Sequence, residues 1–220
     1  MTEVVVKVGG RLARANGLRA LCIRLAALGS RHRMLVVPGG SVFADAVRDF
    51  DARMGLSSGA AHWMAVLAMD QYGYALADLV PGSTPVRSLE VARVAAAGGS
   101  VPVLLPSDLV RSVDALPHDW SVTSDTIAAW VAGECGASRL VLLKDGTGMR
   151  APLDDGSGPP SGAVTLRELS AWPAVDGHLH RLLDGLAIEL WVLDGEQPDR
   201  LEELLDGGET QGVSLRRPSP

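Results

Sequence analysis

Two lysines stand apart in a chain that otherwise takes its positive charge from arginine. Of the 20 basic residues in the 220-residue sequence, 18 are Arg and two, Lys7 and Lys144, are Lys. Val4-Val5-Val6 runs into Lys7 and Leu140-Val141-Leu142-Leu143 runs into Lys144, and each lysine opens into a glycine-containing loop. A compact ammonium concentrates charge at a point, where a guanidinium binds as a planar fork. Lys7-Val8-Gly9-Gly10 adds backbone amides that can approach an anion with no Cβ in the way. Pro38-Gly39-Gly40 repeats the device after Met34-Leu35-Val36-Val37. Asp125, in Ser124-Asp125-Thr126, reads in two ways: as the cap of a following helix, or as a carboxylate that pairs with Lys7 and aims its ammonium at a transferring phosphoryl group. Phosphoryl transfer asks mainly for positioning and neutralised oxygen charge. A lysine, glycine amides, an orienting carboxylate and Mg²⁺ are sufficient parts.

Other patterns carry less. The P-loop spacing is missing, and Gly9-Gly10-Arg11-Leu12-Ala13-Arg14 does not match G-x-G-x-x-G. His62, in Ala60-Ala61-His62-Trp63-Met64-Ala65, reads as a structural helical histidine or, if it faces a cleft, as a partner for an anionic acceptor. His178 and His180 form H-x-H without a third metal ligand, and Asp154-Asp155 reads as solvated loop. Cys22 and Cys135 sit in apolar, helix-like stretches with no C-x-x-C or C-x-x-H partner, which predicts buried structural thiols.

The elements that must position these residues follow from periodicity. Short apolar runs at Val4–Val6, Met34–Val37, Val101–Leu105, Leu140–Leu143 and Glu189–Leu193, and a last one around Gly212–Leu215, read as buried strands. Pro102 places the third near a strand start or a sheet edge. Helices are predicted over 17–29, 42–54, 58–79, Thr126 to about Gly136, about 176–187 and 198–206. Residues 145–163 are rich in Gly, Pro, Asp and Ser and read as a long loop. The rhythm is β-loop-α throughout, which implies a mostly parallel sheet covered on both faces. In such sheets ligands sit beyond the carboxyl ends of the strands, where all four motifs fall. The chain reads as one domain over 1–215 with a tail at 216–220. Hydrophobic residues make up 47% and aromatics 4%, a composition that suits helices on a sheet better than an all-β sandwich. The net charge of −6 argues against nucleic acid as a partner, since no basic face supplies phosphate neutralisation, and Arg216-Arg217 reads as a solvated terminus. With neither a signal-peptide pattern nor an apolar run of membrane-spanning length, the sequence predicts no membrane association and a cytoplasmic location.

The ordered set K-x-G-G, P-G-G, S-D-T and L-L-K-D resembles the amino acid kinase superfamily, over Val4 to about Leu193. The stretches from Val36 to Gly73 and from Thr123 to Trp130 are similar to small kinases related to [5-(aminomethyl)furan-3-yl]methyl phosphate kinase of methanofuran biosynthesis. The resemblance implies a three-layer αβα sandwich around a mainly parallel eight-stranded sheet, with an N-terminal acceptor lobe and a C-terminal nucleotide lobe. It also implies ATP with Mg²⁺, a small phosphorylated acceptor, and a homo-oligomer, dimeric or larger. Lys7 matches the family lysine on the phosphoryl groups and Asp125 the aspartate that organises it. Gly9 and Gly10 match the first phosphate loop. Gly39 and Gly40 match the acceptor loop, which His62 and Ser124 join as substrate-binding candidates. Asp145 and Gly148 match the nucleotide loop. Three departures stand out: Arg11 replaces the small residue of K-x-G-G-S, Asp145-Gly146-Thr147-Gly148 replaces D-V-D-G, and the late lysine of a G-G-M segment is missing, leaving Lys144 as its substitute. An ATP-dependent kinase is the reading these residues support; the departures leave a non-catalytic nucleotide- or oxyanion-binding protein of the same fold as the alternative.

Overall fold

The computed structural model describes residues 2–149, 162–172 and 175–215. Eight strands form one sheet: β1 (Val4–Val8), β2 (Met34–Pro38), β3 (Ser83–Val86), β4 (Val101–Leu104), β5 (Arg139–Lys144), β6 (Gly162–Val164), β7 (Glu189–Asp194) and β8 (Val213–Leu215). Their order is β3-β4-β2-β1-β5-β7-β8-β6. Every pairing is parallel except β7 with β8. The helices are α1 (Leu18–Gly29), α2 (Ser41–Met54), α3 (Ser58–Leu79), α4 (Leu89–Ala97), α5 (Pro106–Val113), α6 (Ser124–Glu134), α7 (Leu166–Ser170), α8 (Leu179–Gly185) and α9 (Asp199–Leu205), with a 3-10 turn over Gly10–Arg14. Among the described residues no helix is long and apolar enough to cross a membrane.

The central strands read as unbroken apolar runs because each face meets a helical layer. On one face Val5, Leu35, Val37, Leu140 and Leu142 pack with residues of α3, α5, α6 and α8. On the other, Val4, Val6, Val8, Val36, Val141 and Leu143 pack with α1, α9 and the later turns of α3. Alternate residues of one strand therefore serve different cores. That parity sends Lys7 to the α6 side, with Val5. Lys144 follows it, with Leu140 and Leu142. Lys7 pairs in register with Leu142, so the two lysines sit on neighbouring strands, one pleat repeat (about 7 Å) apart.

Several elements went unread. β3 is a four-residue edge strand whose middle residues are exposed, and β6 and α7 have three and five residues, so none produces a periodic apolar signal; α4 and α5 went unread as well. β6 takes the end of the expected loop 145–163, and pairs with β8. Pro102 is the second residue of β4, with β3 on one side and β2 on the other; of the two expectations the strand start holds and the edge does not. Cys22 is buried in α1, while Cys135 is half-buried at the end of α6. Asp154-Asp155, Arg216-Arg217 and the middle of the 145–163 segment lie outside the described residues.

Candidate active site

The carboxyl ends of β1, β2 and β5 meet the start of α6 around a cavity of about 510 Å³. At its floor one carboxylate holds both lysines. Asp125 Oδ1 lies 2.7 Å from Lys7 Nζ and Oδ2 lies 2.5 Å from Lys144 Nζ. The three groups are 2%, 3% and 8% exposed respectively. Burial by itself would raise the Asp125 carboxyl, but Lys144 and Lys7 hold it down at about 2. Burial pushes the Lys144 ammonium down to about 8, with Lys7 adding to the push and Asp125 opposing it. Two ammonium groups around one carboxylate leave an unbalanced positive charge in a low-dielectric pocket, an arrangement ready for an anion.

Asp125 is not the cap of its helix. It is the second residue of α6, preceded by the N-cap Thr123 and by Ser124. Capping comes instead from Asp176, far downstream, which accepts from the amides of Thr123 at 3.0 Å and Thr126 at 2.9 Å. The sequence reading missed Asp176, because nothing local in Val175-Asp176-Gly177 marks a cap for a helix so distant in sequence.

The glycine loops meet backbone to backbone. A Cβ on Gly10 would lie 2.4 Å from the Ser41 amide nitrogen, and one on Gly39 would lie 2.5 Å from the Gly10 nitrogen; real side chains fit at neither. Two of the four loop amides are committed: Gly9 donates to the Leu143 carbonyl and Gly39 to the Val8 carbonyl, both at 2.9 Å. Gly9, Gly10 and Gly40 line the cavity and Gly39 does not. Gly39 therefore serves the close approach of the two loops rather than presenting an amide to an acceptor, and Gly9 lines the wall with its amide already used.

The wall formed by Ser41 and His62 carries open hydrogen-bonding valence. Ser41, the first residue of α2, is a serine in the left-handed region, with φ 54°. It is buried, lines the cavity, and its Oγ has no hydrogen-bond partner. A non-glycine residue held there is strained, and such strain gathers at functional sites. Sequence reading passed over Ser41; the signal within reach was its place directly after Pro38-Gly39-Gly40. His62 faces the same cavity, 4% exposed, with its Nε2 unpartnered. Its ring stacks on His118 at 4.7 Å between centroids, and His118 pairs with Asp114 at 2.6 Å. Burial lowers the His62 pKa and neighbouring His118 lowers it further, with Asp114 and Asp119 opposing. Trp120 closes the wall: Arg48 lies over its ring and its Nε1 donates to Asp51 at 2.8 Å.

On the opposite wall Asp145 folds its own loop. Its Oδ1 accepts from the Gly148 amide at 3.2 Å, its Oδ2 accepts from the Thr147 hydroxyl, and Glu196 accepts from the Gly146 amide at 2.9 Å. Ser124, Asp145 and Gly148 all line the cavity. Every site residue expected from sequence except Gly39 thus reaches the same cleft. His178 and His180 fall at the start of α8, and among the described residues no group of three His, Cys, Asp or Glu side chains could hold a metal ion.

The model of the amino acid kinase family matches residues 2–171. The [5-(aminomethyl)furan-3-yl]methyl phosphate kinase of Methanocaldococcus jannaschii is 23% identical over 209 residues, covering 92% of this chain and 93% of that protein. An acetylglutamate kinase of Symbiobacterium thermophilum is 30% identical over 130 residues, 54% of this chain and 43% of that protein. Among solved structures, UMP kinase from Ureaplasma parvum superposes with a TM-score of 0.75 at 15% identity, covering 99% of this chain and 100% of that one. That likeness shows a shared eight-stranded, mostly parallel fold.

Proposed function

The chain belongs to the amino acid kinase family, and from that premise we propose that it is an ATP-dependent kinase that transfers the γ-phosphoryl group to a small anionic acceptor. A phosphate monoester is favoured. The observation that carries the reading is the buried Lys7–Asp125–Lys144 cluster at the floor of a cleft walled by two glycine loops.

The acceptor oxygen attacks the γ-phosphorus of ATP, the bond from that phosphorus to the β,γ-bridging oxygen breaks, and ADP leaves with the electron pair. Charge builds on the transferring oxygens, and fixed ammonium groups stabilise it without reorganisation. Lys7 and Lys144 take that role, with Asp125 setting their positions. A phosphate or carboxylate acceptor is already ionised near neutral pH, so its oxygen attacks without surrendering a proton. That fits a cleft whose one histidine, His62, is pushed toward its neutral form. The unpartnered Ser41 Oγ and His62 Nε2 would bind such an acceptor. Gly10, Lys144, Asp145 and Gly148 would face the nucleotide. Among the described residues no carboxylate cluster forms a metal cage; Mg²⁺ would arrive on the phosphates of ATP as part of the substrate. The 23%-identical relative acts, by its name, on an aminomethylfuran-methyl phosphate, and that compound heads the acceptors to try.

The test is ADP release by the purified protein with Mg·ATP and a panel of phosphate monoesters, the aminomethylfuran-methyl phosphate among them, beside carboxylates and neutral alcohols. Turnover confined to anionic acceptors is the expected result. ATP binding without ADP release across the panel would overturn the kinase reading in favour of a nucleotide-binding protein of the same fold.

A further inference from the structure

Asp176 is the most heavily engaged carboxylate at the site, and the phosphoryl-transfer chemistry above gives it no part. Its Oδ2 accepts from the Thr123 amide at 3.0 Å, the Thr126 amide at 2.9 Å and the Thr123 hydroxyl at 2.8 Å. Its Oδ1 accepts from the Thr126 hydroxyl and from the Leu179 amide at 2.9 Å. One side chain thus closes the start of α6 and the start of α8 together. Thr123, the N-cap residue, makes no capping bond with its own side chain; its hydroxyl turns to Asp176 instead.

The consequence falls on the residue between these contacts. The first turn of a helix exposes amides that attract any carboxylate within reach, and Asp125, inside that turn, is the nearest candidate. An Asp125 drawn to those amides could not also hold two ammonium groups. With Asp176 supplying a charged acceptor at the favourable end of the helix dipole, both Asp125 oxygens remain for the lysines. Because Asp176 grips the amides of Thr123 and Thr126 on either side, it also fixes the rotation of the turn and so the direction in which Asp125 leaves the backbone.

We propose that Asp176 is a positioning residue of this site: by capping α6 from outside the helix it reserves the Asp125 carboxylate for Lys7 and Lys144. The catalytic consequence rests on the kinase reading; the effect on the lysines does not. Asp176 is also among the charges that favour the protonated form of Lys144, after the larger effects of burial, which disfavours it, and of Asp125.

Because the sequence has two lysines, Lys7 and Lys144, protein labelled with ¹³Cε-lysine gives two side-chain signals, and their titration reads the cluster directly. In Asp176→Asn the Lys144 signal is expected to titrate at lower pH than in wild type, and both signals to shift. The kcat for phosphoryl transfer is expected to fall about 10- to 100-fold, the scale of a small misplacement of reacting groups, with KM for ATP and acceptor within about threefold. Thr126→Val, which removes one hydroxyl donor, is expected to move the signals the same way by less, and it serves if Asp176→Asn does not fold. Lysine signals and titration unchanged from wild type in folded variants would overturn the proposal, even if the melting temperature falls, because a merely structural cap leaves the lysines undisturbed. If wild type releases no ADP with any acceptor, the kinase reading fails while the lysine spectra still decide the role of Asp176.

Discussion

The two sides of the cleft differ in how their polar groups are satisfied. On the lysine side every charged group has a partner, though one positive charge stays in excess: Lys7 and Lys144 share Asp125, and Asp176 covers the helix end behind it. On the acceptor side Ser41 Oγ and His62 Nε2 are buried without partners, and Ser41 is held in a strained backbone conformation. Buried polar atoms ordinarily find partners, so two orphans in one cavity are atoms that a bound ligand would satisfy. On the kinase reading proposed above, the paired side is organised before any ligand arrives, whereas the acceptor side would be completed by the ligand. Substitutions on the first side should therefore damage stability and chemistry, and those on the second should spare the fold and weaken substrate binding.

The largest effect is expected from Asp125→Asn. It removes the carboxylate that both buried ammonium groups share, and breaking a buried ion pair in this way costs about 3–5 kcal/mol, read as ΔG of unfolding in urea. A helix cap would behave otherwise, since Asn and Asp cap about equally; an Asn variant as stable as wild type would erase the contrast between the two sides. The pH dependence sharpens the same test. The Asp125 carboxyl is held at about 2, below its ordinary 3.8. Its contribution is therefore complete above the unfolded value and lost as the pH falls through about 2, and the Asn variant should lack that part of the acid transition.

Lys7→Ala comes next. Removing a charge aimed at the developing oxyanion typically costs about 10²–10³-fold in kcat, while Lys144 and Asp125 remain paired. Turnover within threefold of wild type would show that Lys7 does not act on the transferring group.

Lys144 gives a smaller, pH-dependent effect. Its replacement by Ala is expected to weaken ATP binding by about 1.5–3 kcal/mol, the range for hydrogen bonds to charged groups, with Arg restoring it only in part; calorimetry at fixed ionic strength measures both. Burial brings the Lys144 ammonium down to about 8 from 10.5. Wild-type affinity should therefore fall as the pH rises through 8, and binding near that pH should take up protons, seen as a dependence of the heat on the buffer. Folding has the opposite sign: the unfolded chain binds the extra proton between about 8 and 10.5, so this residue's penalty is relieved as the pH rises across that window. Affinity independent of pH from 7 to 9 would remove Lys144 from the nucleotide side.

The smallest and most discriminating change is Ser41→Gly. Glycine adopts positive φ without strain, so the variant should gain about 0.5–1 kcal/mol, within the range for relieving a left-handed residue. It also loses the unpartnered hydroxyl, and the acceptor KM should rise by about three- to tenfold, the value of one modest hydrogen bond, with KM for ATP unchanged. A variant that is more stable and equally good with the acceptor would leave the strain at Ser41 without a functional account.

Strand–helix alternation, the buried central strands and the glycine loops were legible in the sequence, because each is encoded locally: by runs of β-branched and leucine residues, by helical periodicity, and by residues without a Cβ where two backbones close to within atomic contact. The skew of arginine over lysine also pointed to Lys7 and Lys144, and the motif order pointed to one cleft. The edge strand β3 and the short elements β6 and α7 left no such trace. Only the tertiary structure decided how the charges are divided. Parallel registration of β1 with β5 brings two lysines 137 residues apart in sequence to one carboxylate, the amides of Gly9 and Gly39 go to neighbouring strands rather than to a ligand, and the cap that Asp125 might have supplied comes from Asp176. Ion pairs and caps are satisfied by whichever group the fold brings within about 3 Å, and that distance is set by strand register and helix placement, which no stretch of sequence carries alone.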